Sequence, residues 1–123
     1  MMTCLRASAS AATTAALILF TGCTQGGLPA DASRAVLYRG DGSVQCEASG
    51  KSITATRSEL EVAGVQVLDA TCGNNGRAQI AMCGSATGRI HIVEVPGRQV
   101  QAARALGFAP LSDLPEASRK ACR

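Results

Sequence analysis

Hydrophobic positions follow three rhythms along this chain. Residues 7–20 form one low-charge apolar run, densest at Ala15-Ala16-Leu17-Ile18-Leu19-Phe20 and preceded by the positive charge of Arg6. Residues 24–31 have no periodicity and carry Gly26, Gly27 and Pro29, the composition of a tether. Beyond them the pattern is that of short strands and helices. Val44, Cys46 and Ala48 alternate with Gln45 and Glu47, which predicts a half-buried strand over 43–48. Thr56-Arg57-Ser58-Glu59 has the form of a capping box, with the hydroxyl and carboxylate meeting the first free helix amides. Leu60 and Ala63 follow on one face and Gly64 is a natural stop. A second strand is predicted over 65–71, a turn at Gly73-Asn74-Asn75-Gly76, a third strand over 79–83 and a second turn over 84–88. Residues 89–95 make the clearest strand. Pro96 opens a second helix over 97–106, closed by Gly107 with Phe108 placed to fold back on the last turn.

Ala63-Gly64-Val65 and Leu106-Gly107-Phe108 end the two helices alike. Strand, helix, strand, then strands and a helix imply an α+β fold: a small, mainly antiparallel sheet with both helices on one face, of ferredoxin-like topology. Pro110 and Pro115 argue against a regular last strand. The organisation expected is a leader over 1–22, a tether over 23–37 and one domain over 38–123.

Composition makes that domain a stapled one. The 123-residue chain has no Trp, one Tyr and two Phe, so its core is aliphatic and small. Domains of this size usually need covalent staples. Of the six cysteines, Cys46, Cys72, Cys83 and Cys122 lie in the domain. They contain no CxxC, which argues against a metal site and against a thiol oxidoreductase, and reads as two disulfides. Three pairings exist. Cys72–Cys83, enclosing the Asn-rich turn, with Cys46–Cys122, tying the tail to the first strand, is the one favoured. The net charge of +3 is spread over scattered Arg residues without aromatic neighbours, so nucleic acid is not the expected partner.

The apolar run is too short to span a hydrocarbon core, which takes about 20 residues, and reads as a cleaved signal. Phe20-Thr21-Gly22-Cys23 at its end resembles the lipobox of bacterial lipoproteins: a large apolar residue, two small ones and a Cys, with Phe20 in place of the usual Leu. The resemblance covers the leader alone. It implies cleavage before Cys23, a diacylglyceryl thioether on its sulfur and acylation of its amine. Several acyl chains together hold a protein on a membrane almost permanently. Thr24, rather than an Asp, implies the outer membrane, facing the periplasm, with the inner membrane and cell surface as alternatives.

Chemistry is thin. His91 is the only histidine and lies mid-strand between Ile90 and Ile92, and no acidic pair or Gly-rich phosphate loop stands out. No cofactor is implied. Arg39-Gly40-Asp41 spells the tripeptide that animal adhesion receptors recognise, although Gly40-Asp41-Gly42 is first of all a turn. Ser85-Ala86-Thr87-Gly88-Arg89 displays a hydroxyl and a guanidinium on a short turn. It distantly resembles the Ser-Gly-x-Arg-Tyr loop of periplasmic lysozyme inhibitors, with Ser85 and Arg89 at the matching positions and Ile90 where that family has Tyr. That resemblance implies an all-β barrel. The expectation is a non-enzymatic envelope domain that binds a protein or the cell-wall polymer, with Ser85 and Arg89 as the candidate partner-binding loop; the other reading of that loop is that Gly84, Thr87 and Gly88 only close a hairpin and Arg89 is a solvated flank. The alternative is an inhibitor of a cell-wall hydrolase such as lysozyme, and a hydrolase built on His91 comes third.

Overall fold

The computed structural model describes residues 33–123. The leader over 1–22, Cys23, Thr24 and most of the expected tether lie outside the described residues. The strands are β1 (Arg34–Gly40), β2 (Asp69–Asn74), β3 (Arg89–Pro96), β4 (Ala109–Pro110) and β5 (Ser118–Lys120); the helices are α1 (Ile53–Val62) and α2 (Val100–Ala105). A 3-10 turn over Gly97–Gln99 leads into α2, and another over Leu111–Asp113 follows β4. The sheet has the order β4-β1-β3-β2-β5 and every pairing is antiparallel. Its first four strands, with α1 between β1 and β2 and α2 between β3 and β4, form the split β-α-β arrangement expected, extended by β5 outside β2. The described residues do not form the all-β barrel that the inhibitor resemblance implies.

Register explains the two cores. Leu37, Val93 and Ala70 stand in one row across the sheet, and Ala35 faces Val95 in the next. On this face Leu37, Val93 and Val95 pack against Leu60 of α1, Ala103 of α2 and Phe108, so both helices cover the same side. The opposite face carries Val36, Tyr38, Ile90 and Ile92. The chain leaving β4 crosses it, laying Leu111, Leu114 and Ala117 over these residues on the way to β5. Both faces of β3 are therefore covered, which is why its sequence is nearly continuously apolar rather than alternating.

Both helix ends match the sequence reading. Val65 N–H donates to Leu60 O and Gly64 N–H to Glu61 O; Phe108 N–H donates to Ala103 O and Gly107 N–H to Arg104 O. These are two Schellman motifs, with Gly64 at φ +81° and Gly107 at φ +88°. The start of α1 differs. Ser52 is its N-cap, its hydroxyl accepting from Ala55 N–H, and Thr56 lies a turn inside, buried. Thr56 does not cap because its hydroxyl is engaged by His91, as shown below.

Five further expectations are corrected. Strand β1 starts at Arg34, inside the 23–37 stretch expected as tether, because its residues complete both cores at once. Residues 43–48 form no strand: only Val44 bridges, to Ala86, and the chain turns at Cys46 with φ +68°. Strand β2 begins at Asp69; Val65 and Val67 are buried as loop residues behind α1. Residues 79–83 are likewise not a strand, so one long loop, 75–88, joins β2 to β3. The disulfides are Cys46–Cys83 and Cys72–Cys122, not the favoured pairing. Cys72 sits on β2 opposite Lys120 of β5, so the neighbouring strand delivers Cys122 to it. Gln45 is bonded through its backbone to Ser85 and Gly84, and that contact delivers Cys83 to Cys46.

Candidate functional site

The loops at the Gly40 end of β1 and the Arg89 end of β3 are locked around one buried carboxylate. Asp41 follows β1 directly and is 4% exposed. Its Oδ1 accepts the Ser43 N–H at 2.8 Å and the Ser43 hydroxyl at 2.5 Å. With its proton thus directed, Ser43 Oγ accepts from the Thr87 hydroxyl at 2.5 Å, and Thr87 Oγ1 accepts from Arg89 N–H at 3.3 Å. Asp41 Oδ2 pairs with Arg89 Nε at 3.3 Å. A buried carboxylate is costly unless hydrogen-bonded and paired, and here it has both. Gly50 lets the next loop close on it: a Cβ there would lie 2.9 Å from Ser43 Cβ.

Beside this network, on the face away from the helices, is a cleft of about 250 Å³ between Tyr38, Asn75, Arg77, Gly88, Arg89 and Leu114. Two Asx turns shape its outer wall, Asn74 Oδ1 accepting from Gly76 N–H and Asn75 Oδ1 from Arg77 N–H. Asn75 N–H donates to Gly88 O, and a Cβ on Gly88 would meet the side chains of Gln79 and Asn75 at 2.9 and 3.0 Å. Glycine at 88 thus lets the 75–79 turn lie over the start of β3, and Arg77 and Arg89 line the same cleft.

Of the two residues singled out in sequence, Arg89 lines this cleft and Ser85 does not. Ser85 is a connector, its carbonyl accepting from Gln45 N–H and its N–H donating to Met82 O. The sequence reading singles out neither Tyr38 nor Arg77, and places Asp41 only in the Arg39-Gly40-Asp41 tripeptide and its turn. The Asp-Gly-Ser spacing of an Asx turn was a readable signal for Asp41; nothing local marked Arg77.

His91 is buried beneath α1, its Nδ1 2.8 Å from Thr56 Oγ1. Burial lowers its pKa from the ordinary histidine value, helped by the positive charges of Arg39 and Arg89 and opposed by Asp41. A histidine beside a hydroxyl has the elements of a base and a nucleophile. Here Thr56 is fully buried and His91 is 3% exposed, so the pair joins α1 to β3 with no approach for a substrate.

The Arg39-Gly40-Asp41 tripeptide is not displayed either. Arg39 donates from Nη1 and Nη2 to the two Glu59 oxygens at 3.0 and 2.9 Å and to Leu106 O at 2.8 Å, with its guanidinium 4.6 Å from the Phe108 ring centroid. Lys51 Nζ adds a third contact to Glu59 at 2.9 Å. The Arg39 and Lys51 hydrogen bonds hold Glu59 at a pKa of about 2. This cluster clamps β1 to α1 and to the end of α2. All four described cysteines are in disulfides, and no group of three metal-ligating side chains occurs among the described residues.

Comparison with known proteins adds no relative: no family model, no curated protein and no solved structure matches the chain.

Proposed function

We propose that this chain is a lipoprotein held in the outer membrane through an acylated Cys23, and that its folded part is a non-enzymatic binding module facing the periplasm. Its partner in this reading is an envelope protein or the cell-wall polymer. The leader pattern and the lipobox-like Phe20-Thr21-Gly22-Cys23 support the anchor, and two disulfides suit an oxidising compartment. The single observation that carries the binding role is the setting of Arg89. Asp41 holds it through Nε, while its side chain stays 47% exposed along an open cleft. An arginine fixed in this way loses little conformational freedom on meeting a partner, and arginine is enriched among residues that dominate interfaces.

The experiment is capture from cross-linked envelopes with the wild type and Arg89→Ala, folding being checked by thermal melting. The expected result is a resident envelope protein or cell-wall fragment recovered with the wild type and depleted with a folded Arg89→Ala. Recovery of an imported hydrolase instead would favour the inhibitor alternative. Equal recovery with both chains would reduce the 85–89 turn to a connector.

A further inference from the structure

The polar groups lining the cleft divide into those already used and those still open. Asp41, Ser43 and Thr87 are used in the network around Asp41. Asn75 Oδ1 accepts from Arg77 N–H and from Gln79 Nε2. Among the described residues, four lining groups make no hydrogen bond: the Tyr38 hydroxyl, the Asn75 amide nitrogen, the Arg77 guanidinium and the terminal amino groups of Arg89. Every one of them can donate a hydrogen bond, and only the tyrosine can also accept. Two of the four carry positive charge. Against them stands the one buried carboxylate of Asp41, so the cleft itself carries a net charge of one positive unit. The unmet capacity is that of a receptor for an acceptor-only group with one negative charge.

We propose that the Arg77–Arg89 cleft binds a single monoanionic group, a carboxylate or a phosphodiester, presented by the partner. The inference rests on the reading of this domain as a binding module and names the chemistry recognised. Arginine suits the task because its planar fork matches two oxygens of either group. Arg89 supplies a fixed fork, since Asp41 occupies its Nε side and leaves the outer nitrogens to a ligand. Arg77 supplies an adaptable one. On its far side an adjoining cleft of about 230 Å³ also reaches Asp113 and Glu116. Those carboxylates disfavour a ligand with a second negative charge extending that way, so a monoanionic group fits best. The cleft volume of about 250 Å³ admits a small terminal group rather than a folded partner's flank.

The test is a titration of the purified, oxidised chain followed by the backbone amide resonances of Ser43, Gly88 and Arg89, at constant ionic strength. Dimethyl phosphate, acetate and an N-acetylmuramyl peptide are the probes, with chloride as the reference. The expected result is a saturable shift with at least one probe, absent with chloride. Arg77→Gln should weaken binding about tenfold or more, on the scale of one charge-assisted hydrogen bond, and Arg77→Glu should abolish it. Both variants should melt like the wild type, because Arg77 is exposed and its guanidinium makes no hydrogen bond. Tighter binding of the muramyl peptide identifies a cell-wall carboxylate as the source, and tighter binding of dimethyl phosphate identifies a phosphodiester-bearing partner. Shifts that never saturate, or that match chloride, overturn the proposal, as does undiminished binding by Arg77→Gln. If envelope capture still depends on Arg89 while no probe saturates, the anion site is overturned and the binding-module reading survives.

Discussion

Replacing Asp41 by alanine should be the most damaging single change among the loop residues, and its cost can be worked from the contacts. The substitution removes the acceptor of the Ser43 N–H and of the Ser43 hydroxyl, and the ion partner of Arg89. The hydroxyl can turn towards Thr87, which is already at hydrogen-bond distance, so it need not be orphaned. The Ser43 amide has no such recourse, because Ser43 is 5% exposed. An unsatisfied buried donor costs about 1–3 kcal/mol. The Arg89 pair is half in solvent, so its loss adds no more than about 1 kcal/mol. The total is about 1–4 kcal/mol. For a domain of this size that corresponds to a fall in Tm of roughly 5–30 °C. Asp41→Asn keeps an oxygen for the amide and should cost less than half as much. Thermal melting followed by circular dichroism, with both disulfides intact, measures the three chains. A second check is the double variant Asp41→Ala with Ser43→Ala, which should be clearly less destabilised than the sum of the single changes, since both belong to one network. If Asp41→Ala melts within a few degrees of the wild type, or the two changes add, the carboxylate is not the centre of these loops.

Acid should weaken the fold in two steps. His91 has a lowered folded-state pKa, so below about 6.5 the unfolded chain takes up a proton that the native state refuses; stability is complete above that pH and declines beneath it. His91→Gln should remove this step in denaturant midpoints measured from pH 7.5 to 5. Glu59, held at about 2 against an ordinary 4.5, gives stability present above pH 4.5 and lost as pH falls towards 2, and Glu59→Gln should flatten that lower limb. Non-reducing peptide mapping should recover Cys46 linked to Cys83 and Cys72 linked to Cys122; free thiols or another pairing would contradict the loop arrangement. Each bridge closes a long loop, and removing either pair by Cys→Ala should cost about 2–4 kcal/mol in a denaturant titration. Cys23→Ala should abolish incorporation of a labelled fatty acid, and undiminished label in that variant would refute the anchor.

Some features of this protein are written locally and others only in three dimensions. The two helix ends belong to the first kind. Gly64 and Gly107 take a backbone conformation that side chains resist, and their apolar neighbours Val65 and Phe108 close the motif within a few residues. Strand β3 is legible for a similar reason, since a run of β-branched residues buried on both faces has few other uses. The α+β class follows from the alternation of such elements. Strand β1 was missed because Arg34-Ala35-Val36-Leu37-Tyr38 has no distinctive alternation of its own, and its residues divide between two cores that only the assembled sheet creates. The alternation over 43–48 misled because period-two spacing says nothing about whether a partner strand is present. The capping-box form of Thr56-Arg57-Ser58-Glu59 misleads because sequence cannot show that a histidine 35 positions away engages the Thr56 hydroxyl. The pairing of four cysteines is degenerate in sequence and is decided by the neighbours each receives, β5 for Cys72 and the 84–85 backbone for Cys46. Arg89 was visible as a charged residue on a turn, but the orientation of its guanidinium and the cleft it shares with Arg77 depend on a buried Asp41 and a glycine at 88. Contacts between residues far apart in the chain set both, and their energies appear only once the loops have closed.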